Sequence, residues 1–74
     1  MLPYRFYYLN DRDHIVDGEW VSCAGDAAAI ACAASKLAPR RDSRGIEIWQ
    51  GKRRVDTVAK ATIAGAQLSA RKAA

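Results

Sequence analysis

Leu2-Pro3-Tyr4-Arg5-Phe6-Tyr7-Tyr8-Leu9 decides the fold. Four aromatic rings in eight residues favour an extended chain, and side chains in a strand alternate between faces. Tyr4, Phe6 and Tyr8 then share one face, and Arg5, Tyr7 and Leu9 share the other. Large apolar groups on both faces are unusual for a sheet with one solvated side. Whatever covers the first face, the second needs an explanation.

Working outward, Asn10-Asp11-Arg12-Asp13 is turn chemistry and His14-Ile15-Val16-Asp17 reads as the returning strand of a hairpin. Asp17-Gly18 is itself a turn signal, so Glu19-Trp20-Val21-Ser22 is either a third short strand or the continuation of a bent one. Gly25-Asp26 opens an alanine-rich helix to Leu37, with Asp26 expected as its N-cap. Ile30, Ala33, Ala34 and Leu37 make the expected buried stripe, thin enough to bring the helix close to the sheet. Pro39 is expected to end it by disfavouring helical geometry at Ala38.

After the polar connection Arg40 to Gly45, Ile46-Glu47-Ile48-Trp49 alternates with period two, and Arg53 to Val58 returns. A turn at Gly51-Lys52 sets Ile48 opposite Val55 and Trp49 opposite Arg54, but it also sets Glu47 against Asp56. A turn at Gln50-Gly51 sets Glu47 against Arg54 instead; both registers stay open. The expected domain is therefore residues 1–58, an α+β fold in ββαββ order: an antiparallel sheet with one helix packed on one face. Residues 59–74, rich in alanine, are either a docked C-terminal helix or a frayed tail.

Seventy-four residues leave no room for two lobes around an interdomain cleft. The net charge of +4 is unevenly distributed. From Met1 to Leu37 three basic residues stand against five acidic ones; from Ala38 to Ala74 nine stand against three. Such asymmetry points to an acidic partner, nucleic acid first. Cys23 and Cys32 are expected as reduced thiols, one before the helix and one inside it, too far apart to bridge. No apolar run follows the first five residues, so no signal peptide is expected, and no segment reaches the length of a membrane span. Together with the thiols, this gives a cytoplasmic expectation.

The aromatic strand Tyr4-Arg5-Phe6-Tyr7-Tyr8, the turn Asn10-Asp11-Arg12-Asp13, Ile15-Val16-Asp17-Gly18-Glu19 before the alanine-rich helix, and Ile46-Glu47-Ile48-Trp49-Gln50-Gly51-Lys52 together resemble a family of small bacterial proteins known only as a domain of unknown function. The resemblance covers roughly Tyr4 to Val58 and rests on residue types. It departs at Tyr8, where a His is usual in the family, and in the longer ending. It implies the fold and a bacterial cytoplasmic setting, and brings no catalytic residues. The strand–strand–helix–strand order is also similar to HicB-type antitoxins, which implies inhibition of a partner protein.

No catalytic constellation stands out. His14 is the only His, and Asp13 beside it points to the opposite face of a strand. Cys32 among alanines has no nearby cation to activate it. Asp11, Asp13 and Asp17 lack the spacing of a calcium loop, the glycines form no phosphate loop, and no metal or cofactor is expected. Two surfaces remain. Arg40, Arg41, Arg44, Lys52, Arg53 and Arg54 with Trp49 are candidate nucleic-acid contacts around the closing hairpin. Arg5, Tyr7, Leu9, Trp20 and Trp49 are the candidate interface on the second sheet face. The leading expectation is a non-enzymatic interaction module that self-associates through that face or takes another protein there. Nucleic-acid binding by the basic hairpin is the alternative, and no small-molecule substrate is inferred.

Overall fold

A computed structural model of the chain describes residues 1–61. It shows the α+β architecture: β1 (Leu2–Leu9), β2 (Ile15–Cys23), α1 (Asp26–Leu37), β3 (Gly45–Gln50) and β4 (Arg53–Ala59). The strands form one antiparallel sheet in the order β2-β1-β3-β4. The aromatic strand is thus central. Since β1 is antiparallel to both neighbours, β2 and β3 run parallel, and α1 carries the chain over β1 between them. The expected tail helix falls mostly on residues 62–74, which lie outside the described residues; Ala59 itself belongs to β4.

The core lies between the sheet and α1. Tyr4, Phe6 and Tyr8 from β1, Ile46 and Ile48 from β3, and Val58 from β4 meet Ala29, Ala33 and Leu37. The helix therefore presents Ala29, not Ile30, at its closest approach; Ile30 and Ala34 pack at the margin. A methyl group is all that fits between a helix backbone and rings as large as Tyr4 and Phe6.

Two tyrosines bolt the helix at both ends. Tyr4 Oη donates to Asp26 Oδ1 at 2.8 Å, and Asp26 also receives the Arg53 fork at 3.0 Å on each oxygen. Asp26 is thus the first helical residue rather than the cap, which is Gly25, and its carboxylate serves tertiary contacts. At the other end Tyr8 Oη donates to Glu19 at 2.7 Å, and Glu19 pairs with Lys36 at 3.2 Å. The helix ends at Leu37, but Ala38 keeps helical angles and still donates to Ala34, so the proline stops the helix one residue later than its effect on Ala38 implies.

Two expectations resolve in the strands. Asp17-Gly18 makes no turn; β2 runs through it as one strand, with an irregularity opposite Tyr8 and Leu9 that leaves Val16 without a partner. The closing hairpin pairs Trp49 with Arg54, then shifts register, so that Ile48 faces Asp56 and Glu47 faces Thr57. This bulge separates Glu47 from Asp56, the like-charge pair that counted against that turn.

Candidate functional site: the open face of the sheet

The face opposite α1 has no element over it among the described residues. Strand pairing arranges its side chains in rows. Trp20 on β2 lies opposite Arg5 on β1, Arg5 lies opposite Trp49 on β3, and Trp49 lies opposite Arg54 on β4. One row across the whole sheet therefore alternates ring, cation, ring, cation. The next row reads Gly18, Tyr7, Glu47 and Thr57.

The Arg5 guanidinium carbon stands 5.1 Å from the centre of the Trp20 ring and 5.4 Å from that of Tyr7. Both distances are in the range of cation–π attraction. Arg5 has no carboxylate partner among the described residues. Trp49 Nε1 donates to Glu47 Oε1, fixing the indole of the central strand. Trp20 remains 68% exposed, an unusual state for the largest side chain on a sheet. Arg5, Tyr7, Trp20, Glu47, Trp49 and Gly51 line a shallow groove of about 380 Å³.

Gly18 is a site residue that the sequence reading missed, having taken it for a turn. A side chain there would begin 3.2 Å from the Arg5 guanidinium and 3.4 Å from the Tyr7 ring. Its absence leaves the room into which both side chains lean. Glu47 was missed too, for lack of any signal in a strand whose alternation looked ordinary.

Of the five candidate interface residues, four line this groove. Leu9 lies at the end of the same face but is buried, closed in beside Thr57, Arg44 and Lys60 rather than open like the others, so it offers no exposed surface to a partner. Alternation places it on this face correctly; its burial comes from neighbours that alternation does not anticipate.

The basic constellation is not one patch. Arg40, Arg41 and Arg44 lie at the start of β3, and Lys52, Arg53 and Arg54 lie at its far end. Six residues of strand hold the two groups roughly 17–20 Å apart. Several of these cations are also committed. Arg40 bonds Asp42 through two 3.1 Å contacts, reaches Asp17 at 3.1 Å and stacks 3.9 Å from the centre of the Tyr8 ring. Arg44 pairs with Asp13 and Arg53 with Asp26. Arg41, Lys52 and Arg54 make no ion pair with another described residue, and of these Arg54 lies in the row with Trp49.

Four of the carboxylates that hold the scaffold are more acidic than usual. The Arg53 fork and then the Tyr4 hydroxyl lower Asp26; the Arg40 fork lowers Asp42; the Gly18 amide and then Arg40 lower Asp17; the Tyr8 hydroxyl and then Lys36 lower Glu19. Burial, followed by the bond to Glu19, pushes Tyr8 up to about 12.

His14 is exposed in the β1–β2 turn, where its own backbone amide donates to Asn10. Cys23 is buried and Cys32 half-buried, both unbridged; burial first, and then the neighbouring Cys32 thiol, push the Cys23 thiol up. No helix among the described residues is long and apolar enough to cross a membrane. Comparison of the chain with protein-family models, with curated proteins and with solved structures finds no match to any of them.

Proposed function

We propose that the chain is a non-enzymatic interaction module whose working surface is the open face of the sheet. The observation that carries this reading is Trp20, mostly exposed, over an arginine that has rings on both sides and no carboxylate partner among the described residues. A domain of this size is short of core. It keeps a large ring in water at a cost, and contact with a partner would recover the burial of about 1.5–3 kcal/mol per such side chain. The resemblance to the small bacterial family agrees with a module that has no catalytic residues, and a bacterial cytoplasm remains its proposed setting.

Self-association through the same face is the second reading. Ile15 and Val16 are exposed on the edge strand that carries Trp20 and would extend an apolar interface. An antitoxin-like role would use the same surface against a partner protein.

Acrylamide quenching of the tryptophans in the full chain, read beside sedimentation, tests the proposal. A Trp20 indole open to the quencher in a monomer is expected, shown by loss of the accessible component in Trp20→Phe. Shielding that grows with concentration would identify a second copy as the partner. Shielding in a dilute monomer would mean the chain covers its own face, and would overturn the reading.

A further inference from the structure

We propose that the open face binds single-stranded nucleic acid, with two splayed bases stacked on Trp20 and Trp49 and the phosphodiester between them held at Arg5. The inference rests on reading this face as the binding surface and names its partner. The row Trp20–Arg5–Trp49–Arg54 carries it. Neighbouring strands lie about 4.8 Å apart, so two rings separated by one strand stand roughly 10 Å apart. Bases stacked on each other repeat every 3.4 Å or so, and duplex bases present no faces. Rings at this separation suit bases that have been unstacked and spread, which only a single strand offers. The cation between the rings falls where the connecting backbone must pass. Arg54 ends the same row and Lys52 sits in the adjoining turn, so further phosphates on that side meet positive charge.

Charge favours this occupant over a second copy. Two such faces pressed together would bring four guanidinium groups of Arg5 and Arg54 against two Glu47 carboxylates, an excess of like charge removed from water. A polyanion of two or three nucleotides needs no more than the face provides. Glu47, the one acid in the groove, is held by the Trp49 indole, and its remaining lone pairs suit an amino group of a base or a ribose hydroxyl.

The test is fluorescence anisotropy with the full chain and labelled oligothymidylate, oligouridylate and a mixed-sequence duplex, at low and physiological salt. Expected are saturable binding to both single strands, at least tenfold weaker binding to duplex, and quenching of tryptophan emission. The logarithm of affinity should fall against the logarithm of salt with a slope of about −1.4 to −2.1, for two to three cations on a single strand. Trp20→Ala should weaken binding about 5- to 150-fold, while Trp20→Phe keeps most of it. Since Trp20 is exposed, its loss leaves the fold intact, and Trp49→Phe serves where Trp49→Ala fails to fold.

Equal affinity for duplex and single strand, indifference to Trp20→Ala, or an equal loss in Arg41→Ala at the far end of the sheet would each mean charge alone and overturn the proposal. So would dimerisation without oligonucleotide that hides Trp20. Absence of binding beside a quencher-accessible Trp20 in a monomer would remove nucleic acid and leave the interaction module standing. A shielded Trp20 in a monomer would remove both.

Discussion

Arg40 and Arg41 are adjacent, identical in composition, and different in everything that matters. Arg40 lies over the Tyr8 ring and bridges Asp17 and Asp42; Arg41 makes no ion pair with another described residue. The ion pairs of Arg40 are exposed and contribute little; the stacking on a buried ring contributes more. Arg40→Ala is expected to cost about 1 kcal/mol, or 4–8 °C in a domain this small, and Arg41→Ala nothing measurable by thermal melting. Gly18 gives the opposite case. A methyl group there meets the flexible end of Arg5, which can move aside. Gly18→Ala should therefore gain about 0.5 kcal/mol from strand entropy, while displacing Arg5 from its rings and changing the Trp20 emission. At this scale the sequence was partly legible. Arg5, Tyr7, Trp20 and Trp49 follow from alternation, whereas Gly18 reads as a turn because Asp-Gly is a local signal and its real constraint comes from the neighbouring strand. Leu9 follows from alternation too, but its burial beside Arg44 and Lys60 does not.

The elements were legible in kind and β1 in phase as well, but the helix and the closing hairpin were misread in theirs. The helix was expected to bury Ile30 and buries Ala29 instead. Hydrophobic periodicity finds the most apolar stripe, but a helix close to Tyr4 and Phe6 turns its smallest residues inward because rings already fill the space. Ala33→Leu tests this. It should cost about 1–3 kcal/mol by overpacking, although it raises the hydrophobicity of the helix. Leu37→Ala, at a fully buried site, should cost about 2–5 kcal/mol and leave little net stability; urea unfolding measures both. The closing hairpin shows the same limit. Pairing of Trp49 with Arg54 follows from one of the two registers read from sequence, and the bulge that keeps Glu47 from Asp56 does not, since an unpaired residue leaves no trace in alternation. The outer strands share a further device: Asp17 takes the amide of Gly18, and Asp56 that of Thr57, each at 2.8 Å. Carboxylates occupying edge amides hinder pairing with another sheet, so binding by strand addition is disfavoured on either edge, and contact is directed to the open face.

Across the whole molecule, nearness in sequence misled most where charge was concerned. Six cations within fifteen residues suggested one patch, but a strand between them makes two groups at opposite ends, and half of them hold carboxylates. The carboxylates that bind Arg40 and Arg53, together with Glu19, set the response of the fold to acid. Asp17, Glu19, Asp26 and Asp42 are more acidic in the folded chain than in the unfolded one. Their contribution is complete above the ordinary carboxylate range and is lost as pH falls through their depressed values, because the unfolded chain then binds more protons. Tyr8 works in the other direction. Its folded value of about 12 exceeds the ordinary 10, so its contribution is complete below pH 10 and vanishes as pH rises to 12. Stability should thus form a plateau from about pH 5 to about pH 9, falling on the acid side through four carboxylates and on the alkaline side through the buried Cys23 thiol and then Tyr4 and Tyr8. Tyr8→Phe separates the limbs. It removes the hydroxyl that Glu19 accepts from, so it should lower the plateau and flatten the decline that Tyr8 contributes above pH 10, leaving those of buried Cys23 and of Tyr4, whose hydroxyl burial and Asp26 also push up. Thermal melts of both chains from pH 3 to 12 measure this; an alkaline limb of unchanged steepness in Tyr8→Phe would show that the bolt at this end of the helix does not hold the fold.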